Sequence, residues 1–150
     1  MKILFVCHGN ICRSPMAEFL LKNAAKQAGI AENFEVESAA VSAEELGNPV
    51  YPPVRKLLKN NNINCDGHRA RQLAPADYKK FGLILCMDAD NVRRAKAICG
   101  GDPEHKILRI KDLYGNGGDV ADPWYTGDFS LTWREISAAC DAIITQFLAK

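Results

Sequence analysis

Residues 2–17 read KILFVCHGNICRSPMA, and this stretch decides the fold. Its first part, KILFVC (2–7), is a continuous apolar run, which is typical of a strand buried on both faces of a parallel sheet. Its last part indicates a helix start, because Ser14 is a favourable N-cap and Pro15 a favourable first helical residue. A buried strand that leads through a tight polar loop into a helix predicts the beginning of an alternating α/β fold.

The rest of the chain repeats this alternation. Strand patterns cover 34–39, 82–87 and 106–110, and helix patterns cover 14–28, 52–60, 88–99 and 129–147. We therefore predict an α/β fold: an open four-stranded parallel sheet with helices on both faces, a Rossmann-like three-layer sandwich. A chain of 150 residues suits a single domain, 1–150. Residues 111–128 show neither period, and a loop of this length is usually functional or mobile.

Charge and cysteine content exclude several classes of protein. Nineteen basic and eighteen acidic residues leave a formal net charge of +1, so we expect neither nucleic-acid nor membrane binding. The N-terminal apolar run is too short for a signal peptide or a membrane span, which predicts a cytoplasmic protein. The six cysteines include no C-x-x-C pair and the three histidines are scattered. We therefore expect reduced thiols, no metal and no cofactor.

The C-x5-R loop that begins at Cys7 has the composition of an anion-binding site. In an open α/β sheet, ligands bind at the carboxyl ends of the strands, where Cys7 lies. Gly9 and Asn10 tolerate positive φ, which lets successive N–H groups point inward. The following helix adds free N–H groups and the positive end of its dipole, and Arg13 can direct two donors at two phosphate oxygens. We predict a phosphate-sized cradle with Cys7 at its floor.

The same surroundings favour chemistry at Cys7. A thiol beside a helix N-terminus and an arginine ionises readily, and the Ser14 hydroxyl can donate a hydrogen bond to the thiolate. Such a sulfur can attack phosphorus and form a phosphocysteine. A lone cysteine after a strand is usually a packing residue, but the run C-x-G-N-x-C-R-S-P is far more demanding. The absence of G-K-[ST] argues against a nucleotide-binding P-loop.

Five motifs, in order along the chain, resemble one known family. They are VCHGNICRSPMAE, ESAAVSAEELGNP, GHRARQL, LILCMDADN and ADPWYTGDF. Together they make the sequence similar to the low-molecular-weight protein tyrosine phosphatases over nearly its whole length. The resemblance implies a single phosphatase domain, a hydrolase that removes phosphate from protein phosphotyrosine and small aryl phosphates through a phosphocysteine.

The resemblance also implies catalytic roles. Cys7 matches the nucleophile, Arg13 the residue that binds phosphate and stabilises the transition state, and Asp122 the general acid and later the general base. The residues that match the polar network bracing the loop are Asn10, Ser14, Ser38 and His68, with Asp88 in a supporting role. Residue chemistry agrees for Asp122, since a phenolate needs a proton donor and Trp124 and Tyr125 can shelter the carboxyl from water. The alternative is that Asp-Pro merely starts a turn.

Cys12 has two candidate roles. It lies five positions from Cys7 around a tight loop, so a disulfide between them is geometrically feasible. In the similar family, this neighbour traps the oxidised nucleophile as a reversible disulfide, which implies a redox-sensitive enzyme with Cys12 as the redox partner. The alternative is that Cys12 packs beneath the loop.

Substrate choice depends on the side chains above the loop. The predicted substrate- and phosphate-binding residues are His8, Gly9, Asn10, Ile11, Cys12, Ser14, Trp124 and Tyr125. His8 and Ile11 should line one side of the rim, and the two aromatic residues the other, where they can hold a phenyl ring. Glu44 stands where the family commonly has another aromatic residue. One wall is then negative, which weakens the case for acidic phosphopeptides.

Two other functions fit parts of the sequence. Arsenate reductases share this fold and anion loop but pass electrons through two further, closely spaced cysteines in a mobile segment. Here Cys86 and Cys99 are thirteen positions apart, and Cys86 falls in a predicted buried strand. A non-catalytic phosphate-binding module is disfavoured, because Cys7, Arg13 and Asp122 are all present. We expect a phosphotyrosine-containing protein or peptide as the substrate partner, and a monomer.

Overall fold

The computed structural model describes residues 1–150 and contains four strands and seven α-helices. The strands are β1 (Lys2–Cys7), β2 (Glu35–Ala40), β3 (Leu83–Cys86) and β4 (Ile107–Arg109). The helices are α1 (Arg13–Gln27), α2 (Pro52–Asn60), α3 (Pro75–Lys80), α4 (Ala89–Cys99), α5 (Ile110–Tyr114), α6 (Pro123–Thr126) and α7 (Phe129–Leu148). None of these helices has the length and apolar character needed to cross a membrane.

All four strands are parallel and lie in the order β2-β1-β3-β4. Side chains of β1 alternate between two cores: Ile3 and Phe5 pack on the side of α1 and α7, whereas Leu4 and Val6 pack on the side of α4. Both faces of β1 are therefore buried, which explains its continuous apolar run. The predicted three-layer α/β sandwich is confirmed.

The strand order places the end of β1 at a topological switch point. From β1 the chain crosses to β2 on one side, and from β3 it crosses to β4 on the other. Because these connections run in opposite directions, a crevice opens between the carboxyl ends of β1 and β3. Cys7 is the last residue of β1. It therefore lies at the carboxyl-terminal end of the strands, where open α/β folds bind ligands.

Helix α1 begins earlier than predicted, at Arg13 rather than after Ser14. Its N-cap residue is Cys12, which makes no side-chain capping hydrogen bond, and the Cys12 carbonyl accepts the Met16 N–H at 3.1 Å. The loop thus closes directly into the helix. Because Ser14 lies inside the first turn and is not needed as a cap, its hydroxyl is free for another contact.

Three short helices were not predicted from the sequence. Helices α3, α5 and α6 have only four to six residues, which is too short to show a helical hydrophobic period. Helix α6 and most of α5 fall within 111–128, which we expected to be a loop. Short helices therefore order part of this stretch.

Candidate active site

Cys7 lies at the floor of the loop that joins β1 to α1. Its Sγ atom is 3.0 Å from Ser14 Oγ and accepts a hydrogen bond from the Asn10 N–H at 3.3 Å. The thiol is buried. The contact expected between Ser14 and Cys7 is therefore present, even though the helix starts before Ser14.

The two residues expected at positive φ differ from each other. Asn10 has a φ of 58°, and its N–H points back to Cys7. Gly9 does not have a positive φ, so the prediction for Gly9 is wrong. The absence of a side chain allows a close approach instead, since a Cβ at Gly9 would lie 3.3 Å from Glu45 Cγ.

A chain of buried side chains behind the loop fixes which group donates and which accepts in each of its hydrogen bonds. The Glu18 carboxylate can only accept, so the Ser38 hydroxyl donates to Glu18 Oε1 at 2.5 Å. Ser38 Oγ in turn accepts from Asn10 Nδ2 at 2.9 Å, and the second hydrogen of that amide goes to Ser14 Oγ at 2.8 Å. Ser14 then has its own hydrogen left for Cys7 Sγ. The network therefore points its donors at the Cys7 sulfur.

Two further contacts hold Asn10 in place. The Arg71 N–H donates to Asn10 Oδ1 at 3.1 Å, which determines which end of the amide faces the two serines. His68 Nε2–H donates to the Asn10 carbonyl oxygen at 2.9 Å. Ser38 and His68 therefore both contact the loop through Asn10, as expected of residues that support it.

Arg13 is the cation of this region, and its side chain is only 3% exposed. Nη1 donates to Asp88 Oδ2 at 2.8 Å and to the Val120 carbonyl at 2.9 Å, while Nη2 lies 3.3 Å from Asp122 Oδ2. Burial opposes the charge of the guanidinium, but the negative charges of Cys7, Asp122 and Asp88 outweigh burial and raise the pKa of Arg13. Arg13 therefore stays charged beside the Cys7 sulfur.

Asp122 caps helix α6 and faces Arg13. Its Oδ1 accepts the Trp124 N–H at 3.1 Å. Trp124 and Tyr125 line the same cavity as Asp122, although both are largely exposed themselves. Trp124 also packs against Tyr51, with ring centroids 4.9 Å apart. The group in direct contact with the Asp122 carboxylate is the Arg13 guanidinium.

A cavity of about 110 Å³ brings these groups together. Its lining residues are Cys7, His8, Gly9, Ile11, Cys12, Arg13, Glu44, Glu45, Asp122, Trp124 and Tyr125. They include all three residues predicted to be catalytic, six of the eight predicted to bind substrate, and Glu44 at the wall. The other two, Asn10 and Ser14, are fully buried behind the loop. Their side chains support the cavity and do not line it.

His8 is held between two charged residues at the rim. Arg94 Nη1 can only donate, so His8 Nδ1 accepts at 3.0 Å. The imidazole proton then lies on Nε2, which donates to Glu44 Oε2 at 2.9 Å. His8 therefore links helix α4 to Glu44 and keeps the negative charge of Glu44 at the rim.

Cys12 shares the cavity with Cys7, and both are free thiols. Burial, and then the charge of Cys7, raise the pKa of the Cys12 thiol well above its ordinary value. Cys7, in contrast, accepts the Asn10 N–H. One loop thus holds a sulfur that receives hydrogen bonds and a second sulfur that stays protonated.

Four supporting residues were not predicted from the sequence: Glu18, Glu45, Arg71 and Arg94. The first three fall inside the motifs quoted above, which was the available signal. Arg94 lies outside every motif and 86 positions from His8. No local pattern reveals such a contact.

The comparisons with known proteins agree on one family. The family model described as low molecular weight phosphotyrosine protein phosphatase matches residues 2–150. The low molecular weight protein-tyrosine-phosphatase YfkJ of Bacillus subtilis strain 168 is 34% identical over 146 residues, which cover 96% of this chain and 94% of that protein. The human low molecular weight phosphotyrosine protein phosphatase is 37% identical over an alignment of 156 positions, which covers 95% of this chain and 92% of that protein.

Solved structures lead to the same family. The crystal structure of YfkJ from Bacillus subtilis matches with a TM-score of 0.92 at 32% identity and covers 99% of this chain and 95% of that one. The crystal structure of SP-PTP, a low molecular weight protein tyrosine phosphatase from Streptococcus pyogenes, matches with a TM-score of 0.86 at 36% identity. The match covers 97% of this chain and 91% of that one. The resemblance read from the five motifs is thereby confirmed. This chain belongs to the low molecular weight phosphotyrosine protein phosphatase family and is an enzyme of that class.

Proposed function

We propose that the protein hydrolyses phosphotyrosine in protein substrates, and small aryl phosphates, through a phosphocysteine on Cys7. One observation carries this proposal: a sulfur with donors pointed at it, a buried guanidinium and a carboxyl group share one small cavity. These groups are Cys7, Arg13 and Asp122. Membership of the family supports phosphotyrosine as the substrate.

In the first step, the phosphate dianion lies in the loop, where backbone N–H groups, the α1 dipole and Arg13 bind its oxygens. The Cys7 thiolate attacks phosphorus from the side opposite the leaving oxygen. The S–P bond forms as the P–O bond breaks, and its electron pair leaves with the tyrosine oxygen. The Asp122 carboxyl donates its proton to that oxygen, so tyrosine departs as a neutral phenol.

In the second step, Asp122 acts as a carboxylate and takes a proton from water. The water oxygen attacks phosphorus, and the S–P bond breaks with its electron pair returning to sulfur. Inorganic phosphate and the Cys7 thiolate are the products. The Ser14 hydroxyl, 3.0 Å from Cys7 Sγ, is placed to stabilise the thiolate both as attacking and as leaving group.

The contact between Arg13 and Asp122 supports this division of roles. Arg13 Nη2 lies 3.3 Å from Asp122 Oδ2, and a bound phosphate would compete for that donor. Asp88 holds Nη1 at 2.8 Å, so the guanidinium keeps its orientation while its partner changes.

The arsenate reductase alternative lacks support at its further cysteines. Cys86 is fully buried in β3, and burial raises the pKa of its thiol. Cys99 is the last residue of α4. The two therefore do not form the closely spaced pair in a mobile segment that electron transfer by a reductase would need.

We also propose that the protein acts in the cytoplasm as a monomer. Its six cysteines are all free and five of them are buried, which supports a reducing compartment. Cys7, Arg13 and Asp122, the groups that the proposed reaction needs, all line one cavity of this chain. A site completed within a single chain needs no second subunit.

Hydrolysis of para-nitrophenyl phosphate and of a tyrosine-phosphorylated peptide tests the proposal. Both should be cleaved, and acid quenching during turnover of a labelled substrate should trap phosphate on Cys7. Cys7→Ser should abolish turnover while inorganic phosphate still binds. The proposal fails if the folded protein hydrolyses neither substrate, if the label is trapped elsewhere, or if a thioredoxin-coupled assay shows arsenate reduction in place of hydrolysis.

A further inference from the structure

A second cleft opens beside the active-site cavity. Its volume is about 930 Å³, and Ile11 and Glu45 line both this cleft and the cavity that contains Cys7. The two spaces therefore meet across these two side chains. A ligand whose phosphate lies at Cys7 can extend past Ile11 into the cleft while it stays in contact with the protein.

One face of helix α2 forms a basic wall of the cleft. Arg55, Lys56 and Lys59 line it, and their spacing of one, three and four residues places them on one side of the helix. The opposite side of α2 carries Val54 and Leu58 into the core. Core packing therefore fixes the orientation of the helix, with the three basic positions towards the cleft.

The floor of the cleft is apolar. Val50, Ile63 and Cys65 line it and are buried. Tyr51 also lines the cleft and packs against Trp124 of the active-site cavity, with ring centroids 4.9 Å apart. An apolar floor with a polar rim, continuous with the active site, is the anatomy expected of a surface that binds a polypeptide segment.

Two of the basic residues are available to a ligand. Arg55 donates to Asp66 at 2.6 Å, whereas the ion pairs of the chain's lysines involve neither Lys56 nor Lys59. Both lysines are exposed. Neither lysine therefore has an ion-pair partner within the chain.

The sign of the charge changes between the active site and α2. Glu44 and Glu45 line the cavity around Cys7, whereas Lys56 and Lys59 line only the neighbouring cleft. The acidic residues of the cleft are Glu45, where it meets the cavity, and Asp66, which pairs with Arg55. An acidic residue next to a bound phosphotyrosine would meet like charges. An acidic residue two or more positions away would meet the lysines.

We propose that this cleft binds the polypeptide segment flanking the phosphotyrosine of a protein substrate, and that Lys56 and Lys59 select acidic side chains in that segment. The inference rests on the proposed function and specifies its substrate class. It also defines what Glu44 does: the rim disfavours acidic residues beside the phosphotyrosine, and the cleft favours them farther along the chain.

The test combines a double variant with designed peptides. Lys56→Glu/Lys59→Glu reverses the basic wall, and Lys26→Glu/Lys79→Glu makes the same change in net charge at exposed helical positions outside both cavities. The substrates are para-nitrophenyl phosphate and three phosphotyrosine peptides of equal length. One peptide has glutamates from the second flanking position outward, one has a single glutamate adjacent to the phosphotyrosine, and one has glutamine at all of these positions. The two glutamate peptides are made in two versions, with the glutamates on the N-terminal or on the C-terminal side of the phosphotyrosine.

For the parent protein, kcat/KM should be highest for the peptide with remote glutamates on one side. The Lys56→Glu/Lys59→Glu variant should lower that value about tenfold, the effect of losing and reversing two exposed charge contacts. Its activity on para-nitrophenyl phosphate and on the glutamine peptide should not change. The Lys26→Glu/Lys79→Glu variant should match the parent on every substrate.

If Lys56→Glu/Lys59→Glu lowered kcat/KM equally for the glutamate and glutamine peptides, or for neither, the inference would be overturned. Equal losses in the Lys26→Glu/Lys79→Glu variant would also overturn it, because they would assign the effect to net charge. If the parent cleaves para-nitrophenyl phosphate but does not discriminate among the peptides, the inference alone fails. If the parent cleaves no phosphomonoester, the proposed function fails first.

Discussion

Arg13 Nη2 lies 3.3 Å from Asp122 Oδ2, so the proposed phosphate ligand and the proposed proton donor contact each other directly. The other amino group, Nη1, is held by Asp88 at 2.8 Å and by the Val120 carbonyl at 2.9 Å. The guanidinium thus has one side fixed by the fold and one side that a phosphate can take over. In the proposed mechanism this gives the two acidic residues different roles: Asp88 orients Arg13, and Asp122 transfers a proton.

Asp122→Asn should slow the reaction in a way that depends on the leaving group. The amide cannot donate a proton as a carboxylic acid does, so kcat/KM for phenyl phosphate, which reports the first step, should fall by about 10² to 10⁴. For substrates with strongly acidic leaving groups, which need little protonation, kcat/KM should fall much less. Steady-state kinetics on a series of substituted aryl phosphates measures this, as a steeper dependence of log kcat/KM on the leaving-group pKa.

Asp88→Asn is the matched control for this experiment. It removes the other carboxylate that contacts Arg13 but leaves the proton donor in place. We expect a higher KM and a lower kcat that change by the same factor for every leaving group. If plots of log kcat/KM against leaving-group pKa had the same slope for Asp122→Asn and the parent protein, Asp122 would not be the general acid.

Glu18→Gln should weaken catalysis although Glu18 lies outside the cavity. The carboxylate fixes the direction of the hydrogen bonds from Ser38 through Asn10 to Ser14, since it can only accept. A glutamine amide can donate to Ser38 and so removes the constraint that directs the Ser14 hydrogen to Cys7. We expect kcat to fall roughly tenfold, the cost of about one charge-assisted hydrogen bond. Iodoacetate should also alkylate Cys7 more slowly at a fixed, mildly acidic pH.

Lys22→Gln separates this effect from a simple loss of charge. Lys22 pairs with Glu18 Oε2 at 2.6 Å, whereas Ser38 donates to Oε1. The variant therefore removes the ion pair and keeps the acceptor. Near-parental kcat and alkylation are expected, and equal defects in the two variants would contradict a role for Glu18 in directing the network.

The part of the fold that could be predicted is the part specified by neighbouring residues. Strand β1 has the predicted bounds, Lys2–Cys7, because burial on both faces leaves an unbroken apolar run. The start of α1 could not be predicted in the same way. Its first residue depends on how the loop closes, and the Cys12 carbonyl, not a Ser14 cap, begins the helix.

The site shows the same division. The residues of the loop were found because they are contiguous and chemically unusual, and Asp122 was found through its motif. The contacts that orient them join distant positions: Ser38 to Glu18 across 20 residues, and Arg94 to His8 across 86. Such pairs can be identified only when the fold is known, because a single sequence carries no periodic signal for contacts between distant positions.

Cys12→Ser should convert reversible oxidation into irreversible oxidation. Peroxide oxidises the Cys7 thiolate to a sulfenic acid. Cys12, on losing its proton, can attack the sulfenic sulfur, so that an S–S bond forms and the hydroxyl group leaves with that proton as water. Thiols should therefore restore the activity of the oxidised parent. In Cys12→Ser, the sulfenic acid has no such partner and should proceed to sulfinic acid. Recovery after dithiothreitol treatment, with mass spectrometry of the loop peptide, measures the outcome.

Cys99→Ser is the control for the oxidation experiment, because Cys99 lies at the end of α4 and does not line the active-site cavity. Its recovery should equal that of the parent. If Cys12→Ser also recovers fully, or if the parent does not recover, Cys12 is only a packing residue.

Asp102 links the start of β4 to helix α3. Its carboxylate accepts from the Tyr78 hydroxyl at 2.8 Å and from the N–H groups of Lys106 and Ile107 at 2.9 and 3.1 Å. Burial opposes ionisation, but the hydrogen bonds from Lys106, Tyr78 and Ile107 outweigh it and hold the pKa of Asp102 below its ordinary value. The ionised form is therefore favoured more in the folded chain than in the unfolded one.

Asp102→Asn should lower the stability of the fold in a pH-dependent manner. Because the folded pKa lies below the unfolded value of about 3.9, the stabilisation by ionised Asp102 is fully present above that value and is lost as the pH falls through the folded pKa. At neutral pH we expect the variant to lose about 1 kcal/mol in the free energy of unfolding, a value discounted for partial exposure. Urea unfolding at several pH values measures the difference, with the exposed Asp141→Asn as control. A loss that stays constant down to pH values below the folded pKa would show that Asp102 acts through packing and not through its charge.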